Sequence, residues 1–280
     1  MSPIHDQGYR RYGGQRTPPG HAWSVIARAG IRTMISKRAF IALLLLAWLP
    51  FIVRTVQIYA ATSLPQAAFL APDAQMFRQF LQQQEVFLFF ITVYAGAGLI
   101  ATDRRANALQ IYLSKPLSRL EYIFGKLAIL AIFLLFVTWL PAVFLLLIQI
   151  LFSGSFKFFL DNLFLFPAIT IFSFIQVVTV AAAMLALSSL SNSSRYVGVM
   201  YTGLIFFSQA LYGIVYAITR DSSLGWISPA NALNRIGDAI FRVPTRQQLS
   251  VWVAVVAVAV LIAASAMILE KRVRGVEVVA

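Results

Sequence analysis

Apolar residues gather into six long runs separated by polar stretches. A bilayer core about 30 Å thick takes roughly 20 helical residues to cross. The runs at 39–59, 85–101, 127–152, 164–187, 196–218 and 250–269 meet that requirement. The second is short alone, but 75–84 reads as helical and extends it outward. The pattern predicts an all-α integral membrane protein with six transmembrane helices. An even number of crossings puts both ends of the chain on one side. Residues 21–280 hold these spans; residues 1–20 are Gly, Pro, Arg and Tyr rich, lack the apolar core of a signal peptide, and read as a disordered tail.

Composition agrees. Hydrophobic residues make up 60% and charged residues 12% of the 280, against about 45–50% and 25% in soluble domains. The net charge of +13 suggests nucleic acid until it is divided along the chain. Sixteen of the 23 Lys and Arg residues then fall on one side of the membrane and seven on the other. The larger group includes Arg28, Arg32, Lys37 and Arg38 before the first span, and Arg104, Arg105, Lys115, Arg119 and Lys126 between the second and third. By the positive-inside rule that side, with both termini, is cytoplasmic. The charge is therefore orientation rather than a nucleic-acid footprint.

Candidate chemistry inside the spans is scarce. There are no cysteines, and the two histidines, His5 and His21, precede the first run. This excludes disulfides, thiolate metal centres and intramembrane His catalysis. The ten acids read as lying in tails, loops or span ends, and Arg54 as the one charge within a span, near enough to the outer end to reach the headgroups. Ion-coupled transport by this chain is thereby disfavoured. Gly125-Lys126 is no phosphate-binding loop, because Leu120 stands where Gly is needed and Leu127 where Ser or Thr is needed. Gln149, Gln176 and Gln209, and the aromatics Phe87, Phe89, Phe90 and Tyr94, either line a path or pack helices. Pro50 and Pro141 predict kinks in the first and third spans.

Two stretches on the basic side are organised. Trp23, Ile26, Ile31 and Met34 recur at helical spacing, with Arg28 and Arg32 turned away, which predicts an amphipathic helix in the membrane interface, bound to lipid. Between the second and third spans, Thr102 or Asp103 reads as the cap of a short helix carrying Ala106 and Leu109 on one stripe. Ser114-Lys115-Pro116 ends that helix, and Ser118 caps the next, with Glu121 in its first turn. An acid and arginines (Asp103, Arg104, Arg105), a small residue and Leu (Ala108, Leu109), then Pro116-Leu-Ser118-Arg119 and Gly125-Lys126 resemble the permeases of type-2 ABC transporters. Members often carry Glu followed by Gly-Thr-Leu, where this chain has Asp103 and Asn107-Ala108-Leu109.

The resemblance implies a cytoplasmic coupling helix at 103–126 that docks on a separate ATPase subunit. Asp103, Arg104, Arg105, Leu109, Pro116, Ser118, Arg119 and Lys126 become its contact or positioning residues. It implies that this chain holds no cofactor of its own, that ATP and Mg belong to the partner, and that the permease works as a homodimer or heterodimer, exporting cargo across the plasma membrane. It also implies re-entrant helices in the outer loop, where Ser228-Pro229 opens a helix bearing Leu233, Ile236, Ile240 and Phe241; a plain interfacial connector explains the same residues. The reading from another class is a non-transporting scaffold or assembly factor whose basic loop recruits a cytoplasmic protein.

Overall fold

The computed structural model describes residues 22–108, 118–153, 157–245 and 248–273, so the tail expected at 1–20 lies outside the described residues. Six helices among them are long and apolar enough to cross a membrane: Arg38–Ser63, Ala74–Arg105, Arg119–Ser153, Leu165–Leu190, Ser194–Thr219 and Val251–Arg272. Each covers one of the apolar runs. A separate N-terminal helix, Ala22–Ile35, and a short loop helix, Pro229–Ile240, complete the frame. No strand occurs among the described residues.

The helix ends form where side chains can take over unpaired backbone groups. Asp73 accepts from the Met76 N–H at 2.8 Å and starts the second span eleven residues before the apolar run. Ser118 and Glu121 form a reciprocal capping box: the Glu121 N–H donates to the Ser118 hydroxyl at 3.2 Å and the Ser118 N–H to the Glu121 carboxylate at 2.9 Å. Ser228 caps the loop helix, with Pro229 in its first turn.

Three spans are broken within the membrane. The first breaks at Ala47–Trp48, just before Pro50, and the third at Thr138, just before Pro141. Proline cannot donate to the preceding turn and crowds it, and hydrocarbon supplies no water to the freed groups. The side chain of Gln84 donates to the Ala47 carbonyl at 3.1 Å across from the second span. The Thr138 hydroxyl donates to the Leu134 carbonyl at 2.8 Å. The second span widens into a π turn at Thr92–Gly96, loosens as far as Ile100 and resumes at Ala101–Arg105. Ser188 of the fourth span closes this gap: its hydroxyl accepts from the Ile100 and Ala101 N–H groups, both at 3.1 Å, and donates to the Ala97 carbonyl at 2.9 Å.

The fourth span is the buried axis of the bundle. At the end bearing the N-terminal helix, a core of Phe40, Ile91, Tyr122, Leu130, Phe133, Met184 and Tyr201 joins the first five spans. At the other end Phe77, Phe80, Leu145, Ile169, Phe172 and Phe241 pack together, and the loop helix meets the sixth span through Leu233, Ile236 and Val258.

One expectation fails here. The second span is not free of charge: Arg78 is buried and Glu85 lies eleven residues inside the helix. Arg78 Nε pairs with Asp238 at 3.0 Å, and its Nη2 donates to the Asn234 carbonyl at 3.0 Å and side-chain oxygen at 2.6 Å. The guanidinium also lies 4.9 Å from the centre of the Phe172 ring. Gly237 permits this: a Cβ there would meet Arg78 Nε at 2.7 Å and Phe172 at 2.8 Å. The loop helix thus dips into the bundle and delivers the counter-charge, its partner lying 160 residues away in sequence. Arg54, by contrast, donates to Gln57 at 2.7 Å.

Removing one member of a buried ion pair strands the other and costs about 3–5 kcal/mol, whereas replacing both by apolar groups is often neutral. Asp238→Ala should therefore lower the thermal unfolding midpoint in detergent clearly. Adding Arg78→Met to that variant should recover part of the loss; a further drop would contradict the pairing.

Candidate functional site

The ends of the second and third spans that flank the basic loop are tied by one carboxylate. Asp103 Oδ2 lies 2.7 Å from Lys126 Nζ and accepts from the Tyr122 hydroxyl at 2.8 Å. The pair is largely withdrawn from solvent, with side chains 16% and 10% exposed. Lys126 Nζ also lies 5.5 Å from the centre of the Tyr122 ring. Charge-assisted bonds of this kind are roughly twice as strong as neutral ones. Asp103 is therefore not the helix cap that its place in the sequence suggested. The helix that resumes at Ala101 has Ile100, not Asp103, at its cap position, and Asp103 lies within its first turn. The Thr102 hydroxyl donates backward to the Gly98 carbonyl, and the Asp103 carboxylate turns sideways to the third span.

The neighbouring residues divide. Arg104 is half-buried, with Nη1 enclosed, while Arg105 and Arg119 are exposed. Ser118 holds the capping box that aims the third span. Leu109 and Pro116, and with them the body of the expected coupling helix, lie outside the described residues. Asn107 adopts φ 51° just after the last turn of the second span. That left-handed conformation suits glycine and, among other residues, asparagine best. The replacement of the Gly expected at this place by Asn107 therefore keeps the turn.

The N-terminal helix packs against the third span beside this clamp. Ile26, Ile31 and Met34 turn toward the protein core with Ala27, which is buried, while Arg28 and Arg32 remain exposed. Gly125 is the contact point: a Cβ there would meet Ile26 Cβ at 2.9 Å and the Trp23 carbonyl at 3.0 Å. Part of the apolar stripe is thus spent on protein. Trp23 and Ile35 keep an apolar outward edge next to the two arginines.

Sequence reasoning missed three of the groups that shape this end. Nothing beside Tyr122 or Ser188 in the sequence marks them, because their partners lie 19 and 88 residues away. Lys37 lies near the Tyr94 ring, 5.8 Å from its centre, over a cavity of about 1110 Å³ bounded by the N-terminal helix, the loosened part of the second span and the start of the fifth. Of the three glutamines, Gln209 accepts from the Ser228 hydroxyl at 2.7 Å and so ties the fifth span to the loop helix. Gln149 and Gln176 are buried. Phe89 stacks with Tyr201, a packing role. Among the described residues no cluster of His, Cys, Asp and Glu is arranged to hold a metal ion.

Residues 24–272 match the family model described as ABC-2 family transporter protein. Comparison with curated proteins finds no match.

A hydrogen bond to a charged group contributes about 1.5–3 kcal/mol. Tyr122→Phe should cost that much in the wild-type background, read from unfolding in detergent. In an Asp103→Asn background the same substitution should cost markedly less, giving a coupling within the range of about 0.5–3 kcal/mol seen for touching residues. Additive losses would show that the two do not act together.

Proposed function

Because the chain belongs to the ABC-2 family of transporter proteins, we propose that it is the permease subunit of an ABC exporter in the plasma membrane, driven by a separate ATPase. It is a multi-pass membrane protein. The basic end, with residues 104, 105, 119 and 126, faces the cytoplasm by the charge rule. ATP and Mg are bound by the partner, and this chain supplies the path and the docking surface.

The observation that carries this reading is the Asp103–Lys126–Tyr122 clamp. It joins the two spans flanking the basic loop, so a push on that loop reaches both together. Ser188 carries the same displacement into the fourth span through the three bonds that close the break in the second. Closure of the ATPases on ATP tilts these helices toward an outward-open state, and hydrolysis resets them. Arg104, Arg105 and Leu109 form the contact with the ATPase, while Asp103 and Lys126 position it.

The second permease chain packs on the fifth span. That helix buries only Val197 and Tyr201 within the chain, yet it is the least apolar of the six. Phe206, Phe207 and Ile214 project from it, and nothing lies within 4 Å of a Cβ built at Gly203 or Gly213. Small residues on an exposed membrane helix let a second helix approach closely.

Replacing Arg104, Arg105 and Leu109 together by Ala, with insertion verified, should abolish cargo-linked stimulation of the partner ATPase and transport alike. Wild-type levels of both would refute the contact assignment. The chain has no cysteine, so Gly213→Cys provides a single thiol. Oxidation in native membranes should give a cross-linked permease dimer, whereas Val53→Cys on the exposed first span should leave monomers. Monomers from both would exclude a symmetric contact through the fifth span.

A further inference from the structure

The cavity of about 1110 Å³ beside the N-terminal helix has an unusual charge balance. Four charged residues line it: Lys37, Asp103, Lys126 and Arg195. Asp103 and Lys126 neutralise each other at 2.7 Å. Neither Lys37 nor Arg195 has a carboxylate within ion-pair distance among the described residues. Lys37 Nζ meets soft groups, Met34 Sδ at 3.8 Å and the face of Tyr94. Two uncompensated cations therefore border one space.

The rest of the wall is apolar or small. Ile26 on the N-terminal helix, Val93 on the second span and Val199 on the fifth face the space, and Gly98 and Gly198 keep it open. The space sits at the basic end of the spans, where bases ordinarily meet phosphate headgroups. A freely soluble anion would satisfy the charges but leave the apolar wall uncovered. A second copy of this chain carries a net charge of +13 and so adds positive charge rather than the counter-charge that Lys37 and Arg195 lack.

We propose that this cavity binds the anionic phosphate head of a membrane amphiphile from the leaflet on that side. Lys37 and Arg195 hold the phosphate, and the hydrocarbon lies along Ile26, Val93 and Val199. Binding needs neither ATP nor transport, so it is measured independently of the proposed function.

The test uses the purified full chain in nanodiscs containing phosphatidylglycerol and phosphatidylcholine of identical acyl chains, with native mass spectrometry of the lipid retained after extraction. Wild-type protein should retain phosphatidylglycerol over phosphatidylcholine. The double variant Lys37→Gln, Arg195→Gln should retain about thirtyfold less, since each base near a headgroup contributes a factor of about five. Lys37→Arg, Arg195→Lys should keep the preference. Arg220→Gln, Arg242→Gln, exposed bases at the opposite end of the spans, should leave it nearly unchanged. Equal retention of the two lipids by wild-type protein would overturn the proposal, and this comparison needs no variant to fold. An equal loss from Arg220→Gln, Arg242→Gln would also overturn it, by showing a general surface attraction. Competition by glycerol phosphate at the same concentration as the lipid would overturn the amphiphile and indicate a soluble anion.

Discussion

A helix broken inside hydrocarbon must find its lost hydrogen bonds in protein, since no water is there to supply them. This constraint organises the bundle. The break before Pro50 is answered by Gln84 from the second span, and the gap after the π turn is answered by Ser188 from the fourth. Each answer comes from a neighbouring helix, so backbone irregularity is converted into interhelical attachment. At the third break the Thr138 hydroxyl bonds within its own helix, adding to the Leu134 carbonyl that its own N–H already reaches. Breaks and contacts are thus one feature seen from two helices.

Charge inside the bundle follows the same economy of partners. Arg78 is tolerated because Asp238, Asn234 and the Phe172 ring surround it. Lys126 is tolerated because Asp103 leaves its expected role and turns toward it. The two pairs lie near opposite ends of the second span, which is consequently fixed at both: to the loop helix by Arg78 and to the third span by Asp103. The π turn lies between those fixed points.

Features governed by local chemistry were readable in the chain. The six spans follow from length and apolarity, the caps at Asp73, Ser118 with Glu121, and Ser228 from residue type and spacing, and the breaks from Pro50 and Pro141. Features governed by distant neighbours were not. Arg78 fell in the helical extension outside the apolar run, where a charge reads as solvated, and nothing near it in sequence announces Asp238. Asp103 matched a cap because an acid after a small polar residue commonly is one; only the helix start at Ala101, with Ile100 in the cap position, shows otherwise. Of the candidate site, Asp103, Lys126 and Ser118 are placed, but the spacing alone could not reveal that Tyr122 completes the clamp. The N-terminal helix was legible as amphipathic, yet periodicity alone did not show that much of its apolar stripe faces the third span at Gly125 rather than lipid.

The Ser188 hydroxyl has one proton and two lone pairs, and all three are committed to the gap in the second span. Its hydrogen-bonding capacity is saturated, so the joint has no spare partner with which to slip. Together with the Asp103 clamp and the Gly125 contact, it makes the inner ends of the second, third and fourth spans and the N-terminal helix behave as a single rigid block. The first and fifth spans are held instead by polar ties of their own, Gln84 to the Ala47 carbonyl and Ser228 to Gln209, and leave most of their surface outside that block.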